Sequence, residues 1–131
     1  MIKYPNVTIK ILIRHKNEVL ILRHKDGTYD FPGGQLEFRE SLEEGLKREI
    51  KEELDYDFNV KPELIHVWNY ISKNKRRHSV MVYFIQKLSK KSRFLSPEKL
   101  KILWFTKKDI ISKDIIKDKK FLDKIFRWRK T

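Results

Sequence analysis

The sequence predicts an α/β domain, on three observations. Short β-prone apolar runs lie before residue 31 and after residue 62, a strongly helical segment sits between them over residues 41–56, and a second stretch of helical periodicity closes the chain. With 131 residues, 40% of them apolar, the chain is sized for one hydrophobic core, so a single domain over residues 1–131 is expected.

In chain order, Val7 to Ile13 and Glu18 to Arg23 are β-prone runs around a polar turn at His15 to Asn17, which predicts a hairpin. Lys25 to Asp30 carries an Asp-Gly turn signal and leads into Phe31-Pro32-Gly33-Gly34. Pro32 fixes its own φ and the glycines reach angles closed to other residues, so a tight loop with a bare main chain follows. The helix then opens on a capping box, Ser41 with Glu44, and carries Leu42, Leu46, Ile50 and Leu54 at four-residue spacing. Beyond it, Phe58 to Ser72 is broken by Pro62, which predicts a short strand and then a longer one around Leu64 to Ile71. A basic turn, Lys73 to Arg77, precedes the most apolar strand, His78 to Leu88, expected to be central in the sheet. A basic loop with Pro97 leads to a strand at Ile102 to Thr106. From about Ser112 an amphipathic helix is expected, its buried side Ile115, Phe121, Leu122, Ile125 and Trp128 within an arc of roughly 140°.

The chemistry is concentrated on the first helix. Glu49, Glu52 and Glu53 fall within an arc of roughly 100°, where three like charges repel unless a cation lies among them, and an all-oxygen donor set suits a hard ion such as Mg²⁺. Gly45 lies on the same side, giving up about 1 kcal/mol of helix propensity, which makes sense where another group must approach closely.

Gly34, Glu40 and Arg48-Glu49-Ile50-Lys51-Glu52-Glu53-Leu54-Asp55-Tyr56, at these spacings, resemble the Nudix box of the MutT-like Nudix hydrolases. The pattern departs at Asp55, where the family has glycine, and at Tyr56, where an aliphatic residue is usual. Asp tolerates the left-handed conformation expected there, so the site should survive. The resemblance implies the Nudix fold, a mixed β-sheet sandwiched between α-helices, and a Mg²⁺-dependent hydrolase, with Mn²⁺ as an alternative ion, that cleaves nucleoside diphosphates linked to another moiety. It implies Glu49, Glu52, Glu53 and the Gly33 carbonyl as metal ligands, Glu49 as general base, and Gly34 at the substrate. Arg48 is expected to hold the carboxylates, with Glu40 as its partner. Glu98, the one acid between Glu63 and Asp109, is the outside candidate for base or ligand, although a solvated loop residue is the favoured reading of it. Arg23 is either a phosphate contact or a surface arginine at a strand end.

The remaining composition narrows the function classes. Without cysteine there is no disulfide or thiolate metal site. No signal peptide is expected, and the longest apolar run, Val80 to Ile85, is too short for a bilayer, so a cytoplasmic protein with no membrane partner is expected. His15, His24, His66 and His78 show no ligand spacing, and there is no serine elbow or Walker loop. Tyr29, Phe31 and Trp68 can stack on a base or pack. The net charge of +13 suits phosphate-rich partners and equally suits plain solvation. Between Ser72 and Lys101 ten Lys or Arg stand against one acid, whereas Glu37 to Glu53 holds seven acids against four bases. A small nucleotide is the expected substrate, with a 5′-triphosphate RNA end kept open because phosphate contacts dominate such affinity. A homodimer is also left open. The second class of function is a non-catalytic Nudix-like regulator that binds nucleotide or RNA; such modules usually lose box glutamates, and this chain keeps them.

Overall fold

The computed structural model describes residues 3–58 and 61–129. Its strands are β1 (Asn6–His15), β2 (Glu18–Arg23), β3 (Tyr29–Asp30), β4 (Gly33–Gln35), β5 (Glu63–Ile71), β6 (His78–Lys87) and β7 (Lys101–Thr106), and its helices α1 (Leu42–Leu54), α2 (Lys107–Ser112) and α3 (Lys119–Arg127). The sheet runs β3-β2-β1-β6-β5, with β4 on β1 and β7 on β2. β1 is its axis. It pairs in parallel with β6 along its whole length, antiparallel with β4 at Thr8 to Lys10, and antiparallel with β2 only at the hairpin end. β1 and β2 therefore diverge beyond the hairpin, and β4 fills the gap.

Alternation along β1 decides which helix covers which face. Ile9, Ile11 and Ile13 face α1, where they meet Leu46, Ile50 and Leu54; Leu12 faces the opposite core with Ile110 of α2 and Phe121, Leu122 and Ile125 of α3. The sheet is thus mixed and sandwiched between helices, as expected. Each fully buried aliphatic side chain contributes about 1.5–3 kcal/mol relative to exposure, so the two layers together fix how α1 sits on β1 and β4.

Several expectations need correcting. The C-terminal helix begins at Asp118, whose carboxylate accepts from the Lys120 and Phe121 N–H groups, so Ile115 lies in a connection and Trp128 is an extended cap. A separate short helix, α2, precedes it, with its own capping box of Thr106 and Asp109. Leu42 is exposed, outside the apolar stripe. The glycine loop is partly strand, since β4 pairs with β1. The short strand expected ahead of Leu64 falls partly on residues 59–60, outside the described residues, and β5 is one strand with a bulge between Leu64 and His66. β6 is interior as expected, one place from the axis.

Candidate active site

The site is built where β4, β1 and α1 meet. Gly33 lies opposite Lys10, and its φ of +138° belongs to glycine; a Cβ there would sit 2.0 Å from the Ile9 carbonyl oxygen. That close approach aims the Gly33 N–H at α1, where it donates to Glu53 Oε1 at 2.6 Å. Glu53 is buried, and burial pushes its carboxyl up to about 7. The Gly33 N–H and the Lys10 ammonium pull it back down, while the Glu49 and Glu98 carboxylates push it further up. Glu98 itself is exposed in the loop before β7, within electrostatic reach of Glu53.

Gly34 makes room for a second carboxylate. A Cβ on it would lie 2.6 Å from the carboxylate carbon and both oxygens of Glu49. Glu49 is held from its other side by Arg48 Nη1, which donates to Oε1 at 2.8 Å. The same guanidinium forks onto Glu40, Nε to Oε2 at 2.6 Å and Nη2 to Oε1 at 2.9 Å, and Nη2 also donates to the Gln35 carbonyl at 3.0 Å. Arg48 thereby ties α1 to the loop and to β4, with planar donors that a lysine lacks. The pairing with Arg48 and the Glu37 N–H hold the Glu40 carboxyl down at about 2, and the Glu40 pairing raises Arg48 above its ordinary range. Glu52 is half exposed, with its Oε1 3.6 Å from Arg48 Nη1. Gly45 serves approach of side chains: a Cβ there would meet Leu36, Ile9 and Glu40 at 3.0 Å or closer. Asp55 caps α1 in the left-handed conformation, φ 49°, with its N–H on the Lys51 carbonyl.

Sequence reasoning missed Lys10 and Asp30. The Lys10 ammonium, mostly buried, pairs with Asp30 Oδ2 at 2.8 Å and reaches the carbonyls of Phe31 at 3.3 Å and Gly33 at 3.5 Å. Nothing in the alternation of β1 marks it, because the partners come from a turn twenty residues on. On the same face a cleft of about 460 Å³ opens between β5, β6 and the loop before α3, lined by His66, Trp68, Tyr70, Tyr83 and Phe121. Of the three aromatics singled out in the sequence only Trp68 lines it. Phe31 is in the core, edge-on to Tyr83, and Tyr29 lies under the Arg23 guanidinium at 5.5 Å. Arg23 is thus engaged with Tyr29, and no hydrogen bond or ion pair among the described residues joins it to the carboxylates.

The donor set suits a divalent cation. Glu53 holds a carboxylate in a buried place that disfavours its charge, and Glu49 stands beside it against Gly34. Both are hard oxygen donors, of the kind Mg²⁺ prefers. Among the described residues no three His, Cys, Asp or Glu side chains are gathered as a metal site, and Glu52 Oε1 lies 3.6 Å from Arg48 Nη1.

The model of the NUDIX domain matches residues 3–128. An ADP-ribose pyrophosphatase of Methanocaldococcus jannaschii is 33% identical over 86 residues, which cover 63% of this chain; the chain spans half of that relative's length. The MutT NUDIX hydrolase of Burkholderia pseudomallei superposes with a TM-score of 0.72 at 22% identity, over 94% of this chain and 99% of that one. The NUDIX domain of Shewanella oneidensis NrtR, in complex with ADP ribose, superposes with a TM-score of 0.68 at 20% identity, over 85% of this chain and 79% of that one.

Proposed function

This chain belongs to the NUDIX family, and from that premise we propose that it is a Mg²⁺-dependent hydrolase of nucleoside diphosphates linked to a second moiety, cleaving a phosphoanhydride by attack of water. One observation carries the reading: Glu49 is held against Gly34 and Glu53 against the Gly33 N–H, with Glu53 buried where its carboxyl is pushed up to about 7. When bound, the ion neutralises phosphate oxygens and lowers the pKa of a coordinated water. Glu53, Glu49, Glu52 and the Gly33 carbonyl would hold it; Mn²⁺ offers the same charge and suits the same oxygens.

The chain's own residues do the remaining work. Glu49 is the general base, its carboxylate oriented by Arg48 and stopped by Gly34, so that it accepts a proton from the attacking water without changing rotamer. Glu98, close enough to act on the Glu53 carboxyl, is the second acceptor in this reading. Arg48 is a positioning residue, since both edges of its guanidinium are already occupied by Glu40 and Glu49. The main chain at Gly34, bare of a side chain, lets a phosphate come close, and Arg23 at the end of β2 is the nearest expected phosphate contact outside the box. The inner cleft, walled by His66 and Tyr83, takes the nucleoside. An ADP-ribose-like dinucleotide heads the substrate panel, because a relative is an ADP-ribose pyrophosphatase and a structural neighbour is complexed with ADP ribose.

The test is a panel of NTPs, nucleotide sugars, ADP-ribose and dinucleoside polyphosphates with Mg²⁺, products identified by mass. At least one is expected to be split at a phosphoanhydride, with Glu49→Gln and Glu53→Gln each slower by roughly 10²-fold or more while the far-UV spectrum is unchanged. Full activity in Glu53→Gln would overturn the ligand assignment.

A further inference from the structure

We propose that the β5–β6 hairpin is a binding surface for single-stranded nucleic acid, in which the turn over residues 72–77 holds phosphates and Tyr70 and Trp68 stack bases. The turn is built so that its cations have nothing structural to do. Its main chain is closed by Ser72 N–H to Arg77 O at 2.9 Å and Lys75 N–H to Ser72 O at 2.9 Å. Its small polar side chains complete it: Ser72 Oγ donates to Asn74 Oδ1, which also accepts the Arg76 N–H, and Ser72 Oγ accepts the Arg77 N–H. Lys73, Lys75, Arg76 and Arg77 are all exposed, and among the described residues no carboxylate lies within ion-pair distance of them. A pre-ordered loop presenting four charges outward loses little entropy on meeting a chain of phosphates.

The strand that leads into this turn, β5, continues the surface. Tyr70 and Trp68 are 44% and 42% exposed, on the same face of β5, and two residues along a strand span roughly 7 Å. Their rings meet edge to face at 6.4 Å, which leaves ring faces open for stacking, the sequence-tolerant contact that single strands offer and duplexes hide. From Leu64 to Ile71 the strand carries no charge, so nothing along it repels a base. The acids nearest this rim are committed: Asp114 pairs with Lys117 at 3.7 Å, and Asp118 caps α3. β5 is also a sheet edge, which alone would suit a second copy of the chain, but two molecules of net charge +13 with this turn beside the seam repel each other, whereas a polyanion is attracted. The turn lies outside the carboxylate site, whereas Tyr70 and Trp68 also line the cleft given above to the nucleoside, so the turn variant is the one that separates this inference from the hydrolase reading.

The test uses the full chain in EDTA, with a fluorescein-labelled 12-nucleotide oligo(U) and a 12-base-pair duplex as probes, read by anisotropy. Expected is tighter binding to the single strand than to the duplex, weakening roughly 50-fold between 50 and 200 mM salt if four phosphates are neutralised. Lys73→Ser, Lys75→Ser, Arg76→Ser and Arg77→Ser combined should weaken binding at least tenfold and flatten the salt slope. In Mg²⁺ the same variant should still hydrolyse the small nucleotide that the wild type does. Tyr70→Ala should weaken binding roughly fivefold or more with the salt slope kept. Equal binding of duplex and single strand, or unchanged binding in the fourfold variant, would show diffuse attraction by the whole surface and overturn the proposal. So would sedimentation showing a salt-promoted dimer that oligo(U) does not dissociate.

Discussion

Replacing Glu53 by glutamine should make the metal-free protein more stable, and the gain should depend on pH. The glutamine keeps an oxygen for the Gly33 N–H, now at 2.6 Å, and removes only the charge. Burial raises the carboxyl from 4.5 to about 7, so the folded wild type holds a proton that the unfolded chain has released between those values. A raised folded pKa means that the stability is fully present below about 4.5 and is lost as pH rises through about 7. At about 1.4 kcal/mol per pKa unit, the wild type forfeits about 3 kcal/mol by pH 8 that Glu53→Gln retains, or roughly 10 °C in Tm for a chain of this size. Thermal unfolding of both proteins in EDTA from pH 4.5 to 8.5 measures this directly. The two curves should coincide near pH 4.5 and separate with the variant above. Adding Mg²⁺ at pH 8 to about a thousand times its Kd should reverse the order, because an ion that binds only the folded wild type then stabilises it by about 4.1 kcal/mol, more than the wild type forfeits. Parallel curves over the whole range would refute the idea that Glu53 is stored in an unfavourable place for the sake of a cation.

Further outcomes follow from the same contacts. Gly34→Ala should unfold within a few degrees of wild type, since no positive φ is needed there, yet lose at least tenfold in kcat because its methyl displaces the Glu49 carboxylate; steady-state kinetics beside a melting curve separate the two. Arg48→Lys cannot fork onto Glu40 while bonding Glu49, so kcat should fall roughly tenfold or more with KM little changed. Arg14→Met should destabilise the fold by about 2–3 kcal/mol in denaturant titration, because its guanidinium bonds the Lys16 carbonyl in the β1–β2 turn and the Ile125 and Trp128 carbonyls at the end of α3.

How much of this was legible in the sequence depends on whether the cause is local. The first helix was, because its cap, Ser41 with Glu44, and its stripe, Leu46, Ile50 and Leu54, are set by neighbours within one or two turns. The left-handed Asp55 was legible for the same reason. The C-terminal helix was misplaced because Ile115 continues the apolar spacing by coincidence; the stronger signals, Asp118 as a cap and Thr106 with Asp109 as a capping box, stood in the sequence unread. β4 carries no periodicity at three residues, so only its pairing with β1 reveals it. Lys10 and Arg14 look like the polar side of β1, yet both are buried, one under the Phe31–Gly33 turn and the other under the end of α3, on partners that no spacing rule connects.

The charge balance at the site explains why its own cations cannot replace a metal. Lys10 is the cation that acts on Glu53, and Arg48 is the one that touches Glu49. Each is already matched by an acid with no expected part in the chemistry, Lys10 by Asp30 and Arg48 by Glu40. Those pairs are close to neutral, so Glu49, Glu52, Glu53 and Glu98 remain as a surplus of negative charge inside a molecule whose net charge is +13. Screening by salt relieves exposed Glu52 and Glu98 more than buried Glu53. A compact divalent charge at coordination distance would relieve Glu53, in a way that a guanidinium fixed on Glu40 or an ammonium fixed on Asp30 cannot. Arg48 and Lys10 therefore orient the donors without satisfying them, and on the proposed function it is this remainder that would draw an ion, and with it the phosphates, into the gap between β4 and α1.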